Sequence, residues 1–344
     1  MGHVLDIDGT LGEGGGQLLR GALALALATG RAIEVRGIRA RRARPGLMRQ
    51  HLTAVRAAQV LGAAEVAGAE LGATTLRFAP TTLVGGAHTL DVGSAGSTML
   101  VLQAVLPALA ARGVAATLTL IGGTHNPLAP TAEFVQGALL PVLARIGWRV
   151  ELALERHGFA PAGGGRVVAR VMPGGPATPL ALHTRGARTG EALDAVVAHC
   201  PGAIAVRELA AARARLSWGP EVGRITQVAD AACPGNVLIA RARFAEVTEV
   251  VTGLGARGVR AEQVAGRVAD ALLAYLAHTA PVSEHLCDQL LVPLALGAGG
   301  AFTATTWSPH AEAQRALLAR FFGDLVTVTP DAGGVRVVVA PAVA

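Results

Sequence analysis

The sequence contains no lysine: all 30 basic residues of this 344-residue chain are arginine. That absence removes several chemistries at once. It excludes a Walker-type phosphate-loop lysine, a Schiff base and a lysyl-adenylate nucleophile, so covalent nucleotide chemistry must use another group. Aromatic residues make up only 3% of the chain, which leaves few platforms for stacking single-stranded bases and argues against sequence-specific single-strand readout. Cysteine is scarce as well. Cys200, Cys233 and Cys287 are odd in number and far apart, which argues against a disulfide framework or a cysteine zinc site and for a reducing cytoplasm. No apolar run reaches the roughly 18 residues of a membrane span. The opening stretch "MGHVLDIDGT" has no basic segment followed by an apolar core, so the expectation is a cytoplasmic protein with no membrane partner.

What is present is 51% apolar residues and a formal charge of +6, enough for two or more domains with a substantial core. Arginine in excess favours phosphate-bearing partners, because guanidinium forks match phosphate oxygens. One pattern of elements recurs. The first unit reads as a strand from residue 3, a glycine-rich loop, a helix over 17–28, a strand from 32, a second helix over 47–61 and strands near 64–68 and 74–79. The second repeats that order with a strand from 88, the loop "SAGST", a helix to 111, a strand from 115, a helix from Pro130 to 146, and strands near 148–155 and 166–172. The third begins at "PLALHTR" from 179, yet its apolar helix comes only at "DQLLVPLALG" from 288. Pro45 and Pro130 are 85 residues apart and Pro130 and Pro309 are 179 apart, so the surplus of 94 is an insertion.

The expected fold is therefore α/β (α+β), with three tandem βαβαββ repeats in a large domain and a smaller α/β domain inserted in the third repeat. The large domain takes 1–185 and 280–344, its repeats being about 1–81, 82–174, and 175–185 plus 280–344; the insertion takes 186–279. Helices should cover one side of the three sheets around a shared core, with active groups on the loops where the units converge.

Each unit is expected to place a polar loop ahead of its first helix: Glu13 to Gln17, Gly93 to Ser97, and Glu284 to Gln289. Helix N-termini offer unpaired N–H groups and a positive dipole end, so all three are candidate anion sites. The first unit adds Glu13, Arg20 and a basic stretch in which Arg36, Arg39, Arg41, Arg42, Arg44 and Arg49 fall within fourteen residues. Arg39, Arg42, Gln50 and His51 lie near a Pro-Gly turn and a helix start, where forked donors can converge on a terminal phosphate. His310 opens a helix directly after Pro309. With lysine absent, its imidazole is the next nitrogen nucleophile for phosphorus.

Six segments together, "GEGGGQLLR" from 12, "IRARRARPGLMRQHLTA" from 38, "GSAGST" from 93, "GGTHNPLAPTAEF" from 122, "RHGFAPAGGG" from 156 and "HLCDQLLVPLALGAGGAFT" from 285, resemble the RNA 3'-terminal phosphate cyclases in order over essentially the whole chain. The resemblance implies an enzyme that uses ATP to adenylate a histidine. AMP then passes to an RNA 3'-phosphate, and the neighbouring 2'-hydroxyl closes a 2',3'-cyclic phosphodiester with Mg²⁺ or Mn²⁺ in support. By position it implies His310 as nucleophile and Glu13 as metal ligand. Gln103, Pro130, His285, Leu286, Cys287, Asp288 and Gln289 would bind the adenylate, while Arg20, Arg39, Arg42, Gln50 and His51 would hold RNA or triphosphate. RNA 3'-phosphate ends are the implied partner, with 5'-phosphate ends left open and no protein partner required.

The chain departs from that pattern at Ala313 and Gln314, where the family often has Thr-Asn, and at His285, where it often has Tyr. A non-catalytic, RNA-binding scaffold of ribosome assembly is the alternative; His310, Glu13 and the arginine set speak against it. Enolpyruvyl transferases share the repeat but need six units and lysines.

Overall fold

The computed structural model describes residues 4–12 and 15–342. The architecture is mixed α/β. β1 (Leu5–Asp8), α1 (Gly16–Thr29), β2 (Ile33–Arg36), α2 (Arg49–Leu61), β3 (Glu65–Ala67) and β4 (Thr75–Ala79) build a first sheet of order β1-β2-β4-β3. Its β1–β2 pair is parallel and its other pairs are antiparallel. The second sheet has the same order and senses, β5-β6-β8-β7, from β5 (Gly86–Asp91), β6 (Ala116–Gly122), β7 (Arg149–Arg156) and β8 (Gly165–Met172).

Helical segments of this second stretch are shorter than the apolar pattern suggests. In place of one helix to 111 there are α3 (Thr98–Gln103) and α4 (Leu106–Ala111). Pro107 cannot donate to the carbonyl four residues back, at Gln103, and the helix breaks there. The helix after Pro130 is likewise composite: α5 (Ala132–Phe134), a π turn over Val135–Leu139 and α6 (Leu140–Arg145). Pro141 leaves Gly137 without its usual donor, and the wider turn absorbs the mismatch.

β9 (Leu180–Leu182) pairs in parallel with β14 (Gly300–Ala304) although more than a hundred residues separate them. The intervening chain forms β10 (Arg188–Ala198), α7 (Ala203–Leu216), β11 (Arg224–Val228), β12 (Gly235–Phe244), β13 (Thr248–Leu254) and α8 (Ala261–Ala277), with sheet order β11-β10-β12-β13. The sequence reading missed β13, whose "TEVVTGL" lacks clean alternation. The chain closes with α9 (Glu284–Leu296), β14, α10 (Pro309–Phe322), β15 (Val326–Asp331) and β16 (Gly334–Val339), giving the order β15-β16-β14-β9.

One apolar cluster runs through the three sheets that share an order and the helices against them. α1 is apolar nearly all round, as a helix enclosed on every side must be. It packs against α2, α4 and α10. The central strands of the fourth sheet, β10 and β12, are buried on both faces over most of their length, and period-2 alternation divides them. Leu193, Ala195 and Val197 join a second cluster with α7 and α8, whereas Val196, Ala198, Val237 and Ile239 join the main core.

Close helix packing makes one position sensitive. A Cβ on Gly21 would lie 2.7 Å from Leu317 Cδ2 and 2.8 Å from Gln314 Oε1 on α10. Gly21→Val is expected to destabilise the fold by about 1–3 kcal/mol through overpacking. Urea unfolding would show a lower midpoint at unchanged slope.

Candidate active site

α1 begins without a side-chain cap: Gly15 is the N-cap and Gly16 the first helical residue. The helix therefore leaves its first N–H groups available to an outside acceptor. Side chains crowd this end. A Cβ on Gly15 would sit 3.2 Å from Arg42 Nη2, and one on Gly16 would lie 3.0 Å from Arg20 Nη1 and collide with the His51 ring. Glycine here lets backbone, two guanidiniums and an imidazole share one small volume.

The cations come from three places. Arg20 projects from the second turn of α1. Arg39 lies on the turn after β2 with φ +55°, a left-handed backbone that costs a residue with a Cβ about 1 kcal/mol; its Nη1 donates to the Gly46 carbonyl at 3.0 Å. Arg42 follows on the same exposed turn. His51 is buried, with Nδ1 accepting from the Met48 N–H at 3.1 Å, so a neutral ring carries its proton on Nε2, the atom that faces Gly16. Burial first, then Arg20 and Arg39, push the His51 imidazole down to about 3, and it is neutral at physiological pH. Burial lowers Arg20 to about 10 against the opposing pull of Asp288. Arg20 Nε is enclosed with no hydrogen-bond partner among the described residues. A buried, unpartnered guanidinium N–H is costly, and an anion at the mouth of α1 would relieve it.

α9 supplies the opposite wall. Asp288 Oδ2 accepts from Gln17 Nε2 at 2.7 Å, and Gln289 Oε1 accepts from Gln103 Nε2 at 2.9 Å. These two bonds tie α1, α3 and α9 together. Gln289 Nε2 also donates to the His285 carbonyl at 3.1 Å. Gln50 Oε1 accepts from the Ser97 N–H at 3.1 Å and Arg49 Nη1 donates to the Gly93 carbonyl at 3.0 Å, so α2 holds the second small-residue loop against the first. α10 closes the group. Gly12 sits where a Cβ would be 2.7 Å from Ala313 Cβ and 3.6 Å from the Pro309 carbonyl, which lays the glycine loop on the turn that carries His310. Ser308 caps that turn by accepting from the Ala311 N–H at 3.1 Å; Pro309 is N1 and His310, half-buried, is N2.

Several expectations need correction. Residues 284–289 form the first turns of α9, after the N-cap Ser283, and are not a loop. Leu286 and Cys287 point into the main core, both 0% exposed, because they lie on the apolar stripe of α9. The side chains of this stretch outside the core are the exposed Glu284 and His285 and the partly buried Asp288 and Gln289. Pro130 lies on a half-buried turn ahead of α5, and among the described residues no hydrogen bond joins it to the group above. Glu13 falls outside the described residues. Of the departures, Ala313 touches Gly12, Gln314 faces Gly21 and is buried, and His285 is exposed. Gln314 is therefore a helix-packing position, while Ala313 packs on Gly12 ahead of α1. Gln17, which carries the α1–α9 link, and Arg49 stand in the sequence only as the end of a polar loop and a member of the basic stretch; their partners, 271 and 44 residues away, could not be read there.

Burial raises Asp288 to about 7, opposed by the Gln17 hydrogen bond and by Arg20. Between about pH 4 and 7 the folded protein then holds a proton that the unfolded chain has released, so this group makes stability fall as pH rises through that window. Asp288→Asn should match the wild type near pH 4, where both are neutral, and exceed it by about 2–4 kcal/mol at pH 8. Denaturant melts across pH would check this. Burial also raises Glu249 to about 8 and Glu208 to about 6, but these effects are common to both proteins and cancel in the difference.

Comparison with known proteins adds an independent line. The sequence profile of the RNA 3'-terminal phosphate cyclase family matches residues 11–328. The chain is 48% identical over 336 residues to the RNA 3'-terminal phosphate cyclase of Ralstonia nicotianae, covering 97% of this chain and 96% of that one. It is 43% identical over 325 residues to that of Ectopseudomonas mendocina, covering 94% of each. With that of Koribacter versatilis it shares 44% over 309 residues, 90% of this chain and 87% of the relative.

Proposed function

The chain belongs to the RNA 3'-terminal phosphate cyclase family, and from that premise we propose that it converts an RNA 3'-terminal phosphate into a 2',3'-cyclic phosphodiester, with ATP as the activating substrate. The observation that carries the reading is the mouth of α1, where Arg20, Arg42 and His51 crowd an uncapped helix N-terminus, Arg39 lies near Arg42, and Arg20 Nε has no hydrogen-bond partner among the described residues. That arrangement suits a phosphate group.

In this reading a His310 ring nitrogen attacks the α-phosphorus of ATP and pyrophosphate leaves, forming a phosphoramidate. An RNA 3'-phosphate oxygen then takes the AMP and frees the histidine. The terminal phosphate, a poor electrophile as a dianion, has become one half of an anhydride whose other half, AMP, is a good leaving group. The 2'-hydroxyl held beside it attacks the 3'-phosphorus, loses its proton and expels AMP, an intramolecular step in which proximity supplies much of the rate. The arginines offset charge on the transferred phosphorus. Asp288, Gln289, Gln103 and His285 form the wall proposed for the adenosine. A divalent ion, Mg²⁺ or Mn²⁺, held by Glu13 would offset charge on the triphosphate.

We place the reaction in the cytoplasm; no helix among the described residues is long and apolar enough to cross a membrane. Residues 186–279 are proposed as the inserted domain and the remainder as the catalytic one. The test is an RNA oligonucleotide with a labelled 3'-phosphate, incubated with ATP and Mg²⁺. The label should become resistant to phosphatase, whereas a 2'-deoxy terminus should stop at the adenylated end. An end that stays phosphatase-sensitive with folded protein would overturn the activity and favour an RNA-binding scaffold.

A further inference from the structure

Away from the arginines, three segments of the second unit bring metal-ligating side chains together. His125 lies just beyond β6, Glu133 in the first turn of α5 and His157 just beyond β7. One ligand atom from each lies within 4.8 Å of the others. His125 and Glu133 are buried at 1% and 8% exposure. Both Glu133 oxygens face His125 Nε2, at 3.1 and 2.9 Å, and the His157 ring stacks on His125 at 5.2 Å between centroids. We propose that His125, Glu133 and His157 bind a divalent transition-metal ion of the zinc type, with a fourth position open to solvent.

Geometry supports the assignment. Zinc bonds of about 2.0–2.1 Å in a tetrahedral site place ligand atoms about 3.3 Å apart. The His125–Glu133 pair already stands near that spacing, and His157 needs to draw in by at most about 1.5 Å. A carboxylate only accepts, so in the metal-free protein the hydrogen between the two groups sits on His125 Nε2, the place the ion would take. The outer shell is in place: Thr124 Oγ1 meets His125 Nδ1 at 2.8 Å and itself accepts from the Gly158 N–H at 2.9 Å. Such a partner fixes the ring with Nε2 turned to the ion.

Access is a separate observation. Glu133 and His157 line a cavity of about 280 Å³ whose far wall is the fourth sheet. The carboxylate on that wall, Asp194, is already paired with Arg224 at 3.0 Å and with Arg241. It therefore does not compete for the ion. The near wall presents Glu133 and His157, and the cavity leaves room for a water molecule as fourth ligand. The ion would clamp β6, α5 and β7 beside the seam with β10–β12.

The test uses chelator-treated full-length protein titrated with Co²⁺ and Zn²⁺ in excess Mg²⁺. One equivalent of Co²⁺ should produce the visible absorption of a tetrahedral site, and Zn²⁺ should bleach it. Because His157 is half-buried, His157→Gln is the variant expected to remain folded, as circular dichroism would check. It should lose the band and weaken Zn²⁺ binding by more than the roughly 10–100-fold typical of a lost outer-shell partner, the loss expected for Thr124→Val. Glu13→Gln should keep the band, which separates this site from a triphosphate metal. Wild-type binding below one equivalent, unchanged binding in His157→Gln, or loss of the band in Glu13→Gln would each overturn the proposal.

Discussion

His310→Ala should yield a folded protein that forms no covalent bond to AMP. Incubated with α-labelled ATP and Mg²⁺, the wild type is expected to retain label in a linkage that is stable in base and labile in acid, the behaviour of a phosphoramidate. An acyl phosphate would have the opposite sensitivity. Loss of a covalent nucleophile typically removes many orders of magnitude of rate, so RNA cyclisation should fall by about 10⁴-fold or more. The fold should survive for a local reason. The first turn of α10 is held by the Ser308 cap, by Pro309 at N1 and by Trp307 Nε1, which donates to Glu312 at 2.9 Å. Alanine at N2 disturbs none of these and favours the helix. A labelled His310→Ala protein would overturn the assignment of the nucleophile.

Arg20→Met is expected to separate stability from function. Burial lowers the Arg20 guanidinium to about 10, its Nε has no partner among the described residues, and Asp288, itself raised to about 7, is its electrostatic counterpart. Replacing a poorly compensated buried charge by an apolar side chain of similar length often stabilises a protein. A gain of about 1–3 kcal/mol in urea unfolding is the expected outcome. The same substitution removes the partner for an anion at the start of α1, so adduct formation at limiting ATP should fall by about 10²-fold or more. Added ATP should then raise the melting temperature of the wild type and leave the variant nearly unchanged. A destabilised Arg20→Met protein with normal adduct formation would make Arg20 a structural residue.

Much of this was legible in the chain before any coordinates. The zero lysine count pointed to histidine, and His310 proved to stand at N2 of a capped helix. The apolar run after the glycine loop did become an enclosed helix. Breaks in other helices were harder to read, because a proline inside an apolar run can kink a helix, split it, or be accommodated. Pro107 splits one helix, while Pro293 remains inside α9. Cysteine arithmetic spoke only to thiolate metal sites. His125, Glu133 and His157 all fall in segments that carry the family resemblance, yet nothing in their spacing marks them as one group, since it joins a loop, a helix start and a strand end rather than one spaced motif.

Residue types and local order were determined by the sequence alone: which nucleophiles exist, where glycine and proline interrupt the apolar runs, and which stretches carry the arginines. Those are properties of neighbours along a chain, set by steric and hydrogen-bonding preferences a few residues long. Only the tertiary structure decided that Gln17 meets Asp288, that Gln103 meets Gln289, that Leu286 and Cys287 turn inward, and that Arg20 Nε is enclosed with no partner among the described residues. Those outcomes depend on how the sheets and their helices close on a shared core. Burial and charge then act over a few ångströms between residues that may be hundreds of positions apart.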